Sequence, residues 1–235
     1  KLRILNNLNL MVKKRLKINA KKIDKFLINF LNKQKRTLLV SPMKYGVISG
    51  GKKIRSTIIF DAGKIFNLKK NKLIEVCAAV ECIHSYSLIH DDLPCMDNDS
   101  IRRGKPSTHK KFGESTAVLA GNSLLTMAFE ILSHKDLGIN EKTKIDLINK
   151  ISESSGHLGI AGGQYLDLNY ERKKIRGVVN MASKLRTRLS GIEHGIWGVD
   201  VADLRVSLIP FIRDASETIP KWNLRTTSVH IDLQK

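Results

Sequence analysis

Residues 83–104 read IHSYSLIHDDLPCMDNDSIRRG, and they join the end of an apolar helix to a dense group of carboxylates. Four aspartates fall within nine positions: Asp91, Asp92, Asp97 and Asp99. On one continuous helix, Asp91 and Asp97 would point about 240° apart. Pro94 lacks an amide hydrogen and disfavours helical backbone at Leu93, so the helix is predicted to unwind there. Asp97 can then fold back towards Asp91.

This group of carboxylates predicts a metal site. Carboxylates at the C-terminal end of a helix repel one another and face the negative end of its dipole, so they need cations. Oxygen ligands without cysteine or histidine at ligand spacing favour Mg²⁺ or Mn²⁺. Arg102 and Arg103 follow directly, and their planar guanidinium groups suit phosphate oxygens. The pattern predicts a diphosphate site, and it argues against the alternative of a solvated acidic loop followed by a basic one.

A second anion site is suggested by GGKKIR at residues 50–55. Paired glycines let the backbone approach an anion. Lys52 and Arg55 would share one face if a helix began at that point. The segment is not a P-loop, because the GxxxxGK[ST] frame is missing.

The hydrophobic periodicity predicts an all-α fold. Apolar residues recur at three- and four-residue spacing over 53–67, 72–92, 114–133 and 141–158. A further stripe consists of Leu16, Ile23, Leu27, Phe30 and Leu31, and Pro42 is expected to open a short helix. No strand-like alternation of useful length precedes residue 198. We expect one helical domain over residues 12–187 and a divergent tail over 188–235.

Composition narrows the class of protein. With 235 residues, 42% of them hydrophobic, the chain can bury a sizeable core, yet no apolar run reaches the length of a membrane span. Three cysteines without CxxC spacing and the lack of a signal peptide favour a reducing, cytoplasmic setting. The net charge is +19, and residues 1–70 carry +17 of it, with 19 basic residues against two acidic ones. Such a basic end fits nucleic acid, an anionic membrane surface or phosphorylated substrates.

Four segments carry a family resemblance: GGKKIR, ECIHSYSLIHDDLPCMDNDSIRRGKPSTHKKFGES, LAGNSLL, and GGQYLDL at Gly162–Leu168. They resemble the trans-prenyltransferase (polyprenyl diphosphate synthase) family, and within it the bacterial farnesyl diphosphate synthases, over roughly residues 12–175. The resemblance implies an antiparallel helical bundle around a central substrate cavity. It also implies a Mg²⁺- or Mn²⁺-dependent head-to-tail condensation of dimethylallyl or geranyl diphosphate with isopentenyl diphosphate, giving farnesyl diphosphate. We further expect a homodimer, no nucleic-acid partner and no membrane span.

The resemblance also implies roles for single residues. The metal ligands would be Asp91, Asp92 and Asp97. Arg102 would contact the allylic diphosphate, and the isopentenyl diphosphate would be bound by Lys52, Arg55, His84 and Arg103. The allylic cavity would include Gln164, Asp167 and Thr187, and Tyr86 would limit the chain length of the product. His90 would be a packed neighbour rather than a ligand.

The sequence departs from the family after Gln164. The second aspartate-rich motif, DDxxD, is missing, and Arg186-Thr187-Arg188 stands where the family has Lys-Thr-Gly. A truncated or frameshifted ending over residues 188–235, leaving the bundle incomplete and the enzyme impaired, is therefore our hypothesis. The sequence also allows two other interpretations: a non-catalytic partner subunit of a prenyl synthase, and a basic nucleic-acid-binding protein.

Overall fold

A computed structural model describes residues 2–34 and 37–172, and this part of the chain is an all-α bundle. The fold class predicted from periodicity is therefore confirmed. Its α-helices are α1 (Leu2–Lys33), α2 (Val40–Ile48), α3 (Ile54–Ile65), α4 (Lys70–Asp91), α5 (Thr108–Phe112), α6 (Glu114–Ser133), α7 (Glu141–Ser155) and α8 (Ile160–Arg172), with a 3₁₀ turn at Lys135–Leu137. The boundary predicted at residue 187 and the predicted tail over 188–235 lie outside the described residues.

Helix α4 forms the centre of the bundle. It is buried on several faces, and it packs against α1, α2, α3 and α6. Its contact with α6 is extensive because small side chains line both helices, which allows the two backbones to approach closely. The fully buried small residues are Ala78 and Ala79 on α4 and Ala117, Ala120 and Ala128 on α6. This packing fixes the end of α4, where the aspartates lie.

Two described helices are long and apolar enough to cross a membrane by length and composition alone, Lys70–Asp91 and Glu114–Ser133. Core helices of a globular bundle pass the same test. The apolar window of the first is 72% buried inside the protein, and that of the second is 44% buried. The interior of the bundle therefore accounts for much of this apolar surface, and the absence of a membrane span stays a prediction.

A small β-hairpin follows α4, which the periodicity does not predict. Strand β1 (Ile101–Arg102) pairs antiparallel with β2 (Lys105–Pro106). The two residues between the strands, Arg103 and Gly104, have φ angles of +54° and +74°, as a two-residue hairpin turn requires. Strands this short carry no alternation that could be recognised in the sequence. The hairpin matters because it lets the side chains of the adjacent residues Arg102 and Arg103 reach different partners.

Candidate functional site

The C-terminal end of α4 unwinds as Pro94 predicts. The helix ends at Asp91, and the amide of Asp97 then donates a hydrogen bond to the Asp91 carbonyl over 2.9 Å. The predicted return of Asp97 towards Asp91 is therefore present in the structure. Burial, reinforced by the negative charge of Asp97, raises the pKa of Asp91 to about 6. Asp91 is thus a partly desolvated carboxylate within reach of the charge of the exposed Asp97.

Helix α8 also reaches this end of α4. The side-chain amide of Gln164 donates a hydrogen bond to the Asp91 carboxylate, and this bond lowers the pKa of Asp91 in opposition to burial. The predicted cavity residue Gln164 is therefore next to the predicted metal ligand. Asp167 lies on the same helix, three residues further on. Thr187, the third residue assigned to the allylic cavity, lies outside the described residues.

The neighbouring carboxylate has a different partner. Asp92 is buried and accepts hydrogen bonds from the Arg102 guanidinium, one of them from Nε over 2.8 Å. Arg102 also reaches the Asp99 carboxylate, 3.1 Å from its Nη2. The hydrogen bond that Arg102 donates to the Asp92 carboxylate raises the pKa of Arg102, so this guanidinium stays charged. Asp91 and Asp92 are adjacent in sequence but occupy different electrostatic environments.

Arg103 turns the other way, towards the glycine pair. Its guanidinium donates a hydrogen bond to the Gly50 carbonyl and lies against Gly51. A β-carbon on Gly51 would stand 2.7 Å from Arg103 Cζ, so only glycine leaves room for this contact. Gly50 and Gly51 also have φ angles of +95° and +104°, which glycine adopts without strain. The GGKKIR and RRG segments are therefore brought together by one arginine.

Cationic residues gather around His84 at this place. Burial, followed by the positive charges of Arg55, Arg103, Lys53 and Arg102 in that order, lowers the pKa of His84 to about 2. The imidazole is therefore neutral at physiological pH and can donate one hydrogen bond to an anion. Arg55 is buried, and the desolvation lowers its pKa. This group is well suited to a diphosphate, whose charge would offset the mutual repulsion of the cations.

The two lysines of GGKKIR lie in different environments. Helix α3 begins at Ile54, after a residue in the left-handed conformation, so Lys52 does not share a helical face with Arg55. Lys52 is exposed, whereas Lys53 is buried. The helical spacing argument for Lys52 is therefore wrong, because it assumed a helix that began two residues earlier. A role for Lys52 in binding rests on the family motif alone.

Glu81 is a buried residue of this region that the sequence arguments did not single out. It lies on α4 and is 2% exposed, and its carboxylate accepts a hydrogen bond from Ser56 Oγ over 2.8 Å. The sequence does indicate that Glu81 is unusual, because an acidic residue in the apolar run CAAVECI at residues 77–83 needs a buried partner. Its partners, Lys53 just before α3 and Ser56 in the first turn of α3, could not be identified from sequence periodicity.

Tyr86 and His90, which precede Asp91 on α4, pack against each other. Their rings meet edge to face with centroids 5.7 Å apart, and Tyr86 is 7% exposed. Tyr86 Oη donates to the Ser155 carbonyl over 3.4 Å, while His90 Nε2 lies 3.1 Å from the Val118 carbonyl. His90 is thus a packed neighbour, as expected. Tyr86 fills space between α4 and α7, a position compatible with a limit on chain length.

Two of the three predicted metal ligands, Asp91 and Asp97, lie near each other, and their chemistry fits a hard divalent cation. Within residues 2–34 and 37–172, no three carboxylate, imidazole or thiol groups converge as a ready-made metal site. Asp91 and Asp97 approach one another, and the repulsion between their charges favours a cation at this position. Asp92 is held by Arg102. Mg²⁺ commonly binds through one or two carboxylates, with water and substrate phosphate supplying the other ligands.

Comparison with known proteins identifies the class of fold and site. The chain belongs to the polyprenyl synthetase family, whose model matches residues 36–186, more than half of the chain. The resemblance found in the motifs is therefore confirmed.

Individual relatives agree with this assignment. Farnesyl diphosphate synthase of Escherichia coli (strain K12) is 47% identical over 140 residues, covering 59% of this chain and 47% of the relative. The enzyme of the same name from Buchnera aphidicola subsp. Acyrthosiphon pisum is 47% identical over 151 residues, covering 64% of this chain and 53% of the relative. The chain thus spans about half the length of these curated relatives. The solved apo structure of an FPP/GFPP synthase from Zymomonas mobilis gives a TM-score of 0.72 at 33% identity, covering 87% of this chain and 74% of that one.

Proposed function

We propose that this chain acts as a prenyltransferase that condenses an allylic diphosphate with isopentenyl diphosphate to give farnesyl diphosphate and release diphosphate. One observation carries the proposal: the hairpin divides two adjacent arginines between two sites. Arg102 lies on the carboxylate end of α4, and Arg103 lies on the glycine pair beside His84. A reaction between two diphosphate substrates needs two such cationic places close together.

The carboxylate end of α4 would hold the allylic substrate. Asp91 and Asp97 would hold Mg²⁺ (or Mn²⁺), with Asp92 available as a third ligand if it exchanged its bond to Arg102. The metal, when bound, would neutralise charge on the departing diphosphate. Arg102 would donate to the same phosphate oxygens. Gln164, with Asp167 and Thr187 as further candidates, would line the cavity for the prenyl chain.

The cluster around His84 would hold isopentenyl diphosphate. Arg55 and Arg103 would offer charged guanidinium donors, neutral His84 a single N–H, and exposed Lys52 a mobile ammonium at the edge. These groups need no metal, because they already carry the positive charge that a diphosphate requires. They would orient the double bond of the substrate towards the allylic carbon.

The reaction then follows from the placement of the two substrates. The allylic C–O bond breaks, its electron pair leaves with the diphosphate, and a carbocation remains. The double bond of isopentenyl diphosphate supplies the electron pair of the new C–C bond, and a proton is lost from the resulting cation. Arg102 stabilises the negative charge that develops on the leaving group, which is where electrostatic catalysis acts most strongly. Tyr86 would block longer chains and favour a fifteen-carbon product.

The relatives support a synthase over a non-catalytic partner subunit or a nucleic-acid binder, because the proteins matched over 140 and 151 residues are named farnesyl diphosphate synthase. We propose a cytoplasmic homodimer without a nucleic-acid partner. The basic residues 1–70 contribute only a few side chains to this function.

A product assay tests the proposal. The purified chain is incubated with radiolabelled isopentenyl diphosphate and geranyl diphosphate, and labelled farnesol is measured after phosphatase treatment. We expect farnesyl product with Mg²⁺, at a rate reduced by the missing DDxxD motif, and none with EDTA, and we expect Asp91→Asn to lower this rate at least about 100-fold because it removes a charge that holds the metal. Asp146→Asn, an exposed aspartate on α7, serves as the matched control and should leave the rate unchanged. Complete absence of product with Mg²⁺, although both substrates bind, would contradict the proposal and favour the non-catalytic subunit.

A further inference from the structure

A buried ionic group lies beneath the His84 cluster and has no part in the proposed chemistry. Lys53 is 5% exposed and Glu81 is 2% exposed, and the Lys53 ammonium stands 3.7 Å from Glu81 Oε2. Asp24 of α1 lies 3.8 Å from the same ammonium. Its Oδ1 is buried without a hydrogen-bond partner among the described residues. Two charges, those of Lys53 and Glu81, are thus withdrawn from water, and the partly exposed Asp24 carboxylate lies beside them.

The Lys53 ammonium contacts residues of three helices. Its ammonium donates to the Val47 carbonyl at the end of α2 over 2.7 Å, and it faces Glu81 on α4 and Asp24 on α1. The bond to Val47 closes the segment 47–53, which contains the glycine pair. Lys53 itself has a φ angle of +46°, a conformation that costs a non-glycine residue free energy. The ammonium therefore sets the path of the loop against which Arg103 lies.

Glu81 fixes the first turn of α3 in a similar way. Its Oε1 accepts from both Ser56 Oγ and the Ser56 amide, over 2.8 and 3.3 Å. Ser56 follows Arg55 directly, and His84 lies three residues after Glu81 on the same face of α4. The carboxylate thereby sets the position of the Arg55 backbone relative to His84. Its negative charge also opposes the effect of burial on Arg55 and Arg103.

Stability alone gives little reason for this arrangement. A buried ion pair costs desolvation free energy that its attraction barely returns, and apolar replacements of both partners are often neutral or stabilising. What the network does supply is geometry, because it joins the loop before α3 and the first turn of α3 to α4. Both connections lie within three residues of a proposed diphosphate ligand.

We propose that Lys53 and Glu81 are positioning residues for isopentenyl diphosphate: Lys53 holds the Gly50–Gly51 loop, and Glu81 holds the start of α3, so that Arg55, His84 and Arg103 form a preorganised diphosphate site. This inference rests on the proposed function. Neither residue touches the substrate, so each acts through the loop or helix that it fixes. A preorganised cluster binds more tightly because ordering it costs no binding free energy.

The test is calorimetric titration of the full chain with isopentenyl diphosphate in EDTA, together with thermal unfolding of each variant. Lys53→Met keeps the aliphatic stem and removes the charge, and we expect it to weaken binding at least about tenfold. Lys144→Met is the matched control, since Lys144 is also 5% exposed and its ammonium also faces a glutamate, Glu141, at 3.2 Å. It should leave the dissociation constant within about twofold.

A double variant separates positioning from stability. Lys53→Met alone leaves the Glu81 charge buried, which should lower the melting temperature, whereas Lys53→Met/Glu81→Gln removes both charges and should recover much of it. We expect binding to stay weak in the double variant, because the loop is still untied. Recovery of affinity together with the melting temperature, or binding by Lys53→Met within twofold of the parent chain, would overturn the inference. If the parent chain itself does not bind isopentenyl diphosphate, the proposed function fails instead.

Discussion

Gly51 is the glycine whose α-carbon faces the Arg103 guanidinium, while the carbonyl of Gly50 accepts a hydrogen bond from the same side chain. Its neighbour Gly50 shares the positive φ angle but has open space around its α-carbon, whereas a β-carbon on Gly51 would displace the Arg103 guanidinium. Substitutions at Gly50 and at Gly51 can therefore separate two effects that glycine substitutions usually combine. One is backbone strain, and the other is the geometry of a ligand-binding side chain.

We expect Gly50→Ala and Gly51→Ala to cost similar stability, about 1–3 kcal/mol each, because both force alanine into the left-handed region. Only Gly51→Ala should also weaken the binding of isopentenyl diphosphate, by roughly a factor of ten, because the added β-carbon moves the Arg103 guanidinium. Denaturant unfolding and calorimetric titration measure the two quantities. Equal affinities in the two variants would show that Arg103 does not bind the ligand through this contact.

At the scale of elements, α4 is the helix that joins the two sites. His84 lies two turns before Asp91, so one rigid helix sets the distance between the His84 cluster and the carboxylate end. The position of α4 depends in turn on α6. His90 packs over Gly121 of α6, where an added β-carbon would overlap the imidazole ring.

Gly121→Ala should therefore destabilise the bundle by about 2 kcal/mol, because the His90 ring is held between Tyr86 and the Val118 carbonyl and has little room to shift. Chemical denaturation measures the loss. The double variant His90→Ala/Gly121→Ala removes the overlap, so its cost should be smaller than the sum of the two single costs. Strict additivity would mean that the ring moves aside freely and that α6 does not set the end of α4.

The helices and the unwinding at Pro94 follow from the sequence because each depends on local residues. Apolar spacing predicted helices near the observed bounds of α3, α4, α6 and α7, and proline chemistry predicted the return of Asp97. Motifs identified Arg55, His84, Arg102 and Arg103. The sequence could not predict that Lys52 is exposed and Lys53 is buried. This difference depends on the left-handed conformation of Lys53, which directly precedes the start of α3. The partners of Glu81 depend on how α3 packs on α4, which periodicity does not specify.

At the scale of the whole molecule, the charge distribution has a limited connection to the site. Residues 1–70 carry +17, but among those whose burial the structure describes, only Lys53 and Arg55 are buried cations beside the proposed diphosphate site. Many of the others, such as Lys14, Lys21 and Lys25 on α1, are exposed. The local feature with the opposite sign, the carboxylate group at the end of α4, has more chemical consequence than the overall charge.

We propose that the described part of the chain forms two diphosphate sites that differ in their need for metal. The test is to measure the binding of both substrates to one preparation, with Mg²⁺ and with EDTA. A thiolo analogue of geranyl diphosphate that cannot ionise replaces the reactive allylic substrate, so that binding is measured without turnover. We expect isopentenyl diphosphate to bind in EDTA at the Arg55–His84–Arg103 cluster. The allylic analogue should bind only with Mg²⁺ and should not displace isopentenyl diphosphate. Binding of both ligands at one shared site, or an equal metal requirement for the two, would show that the chain does not form two such sites.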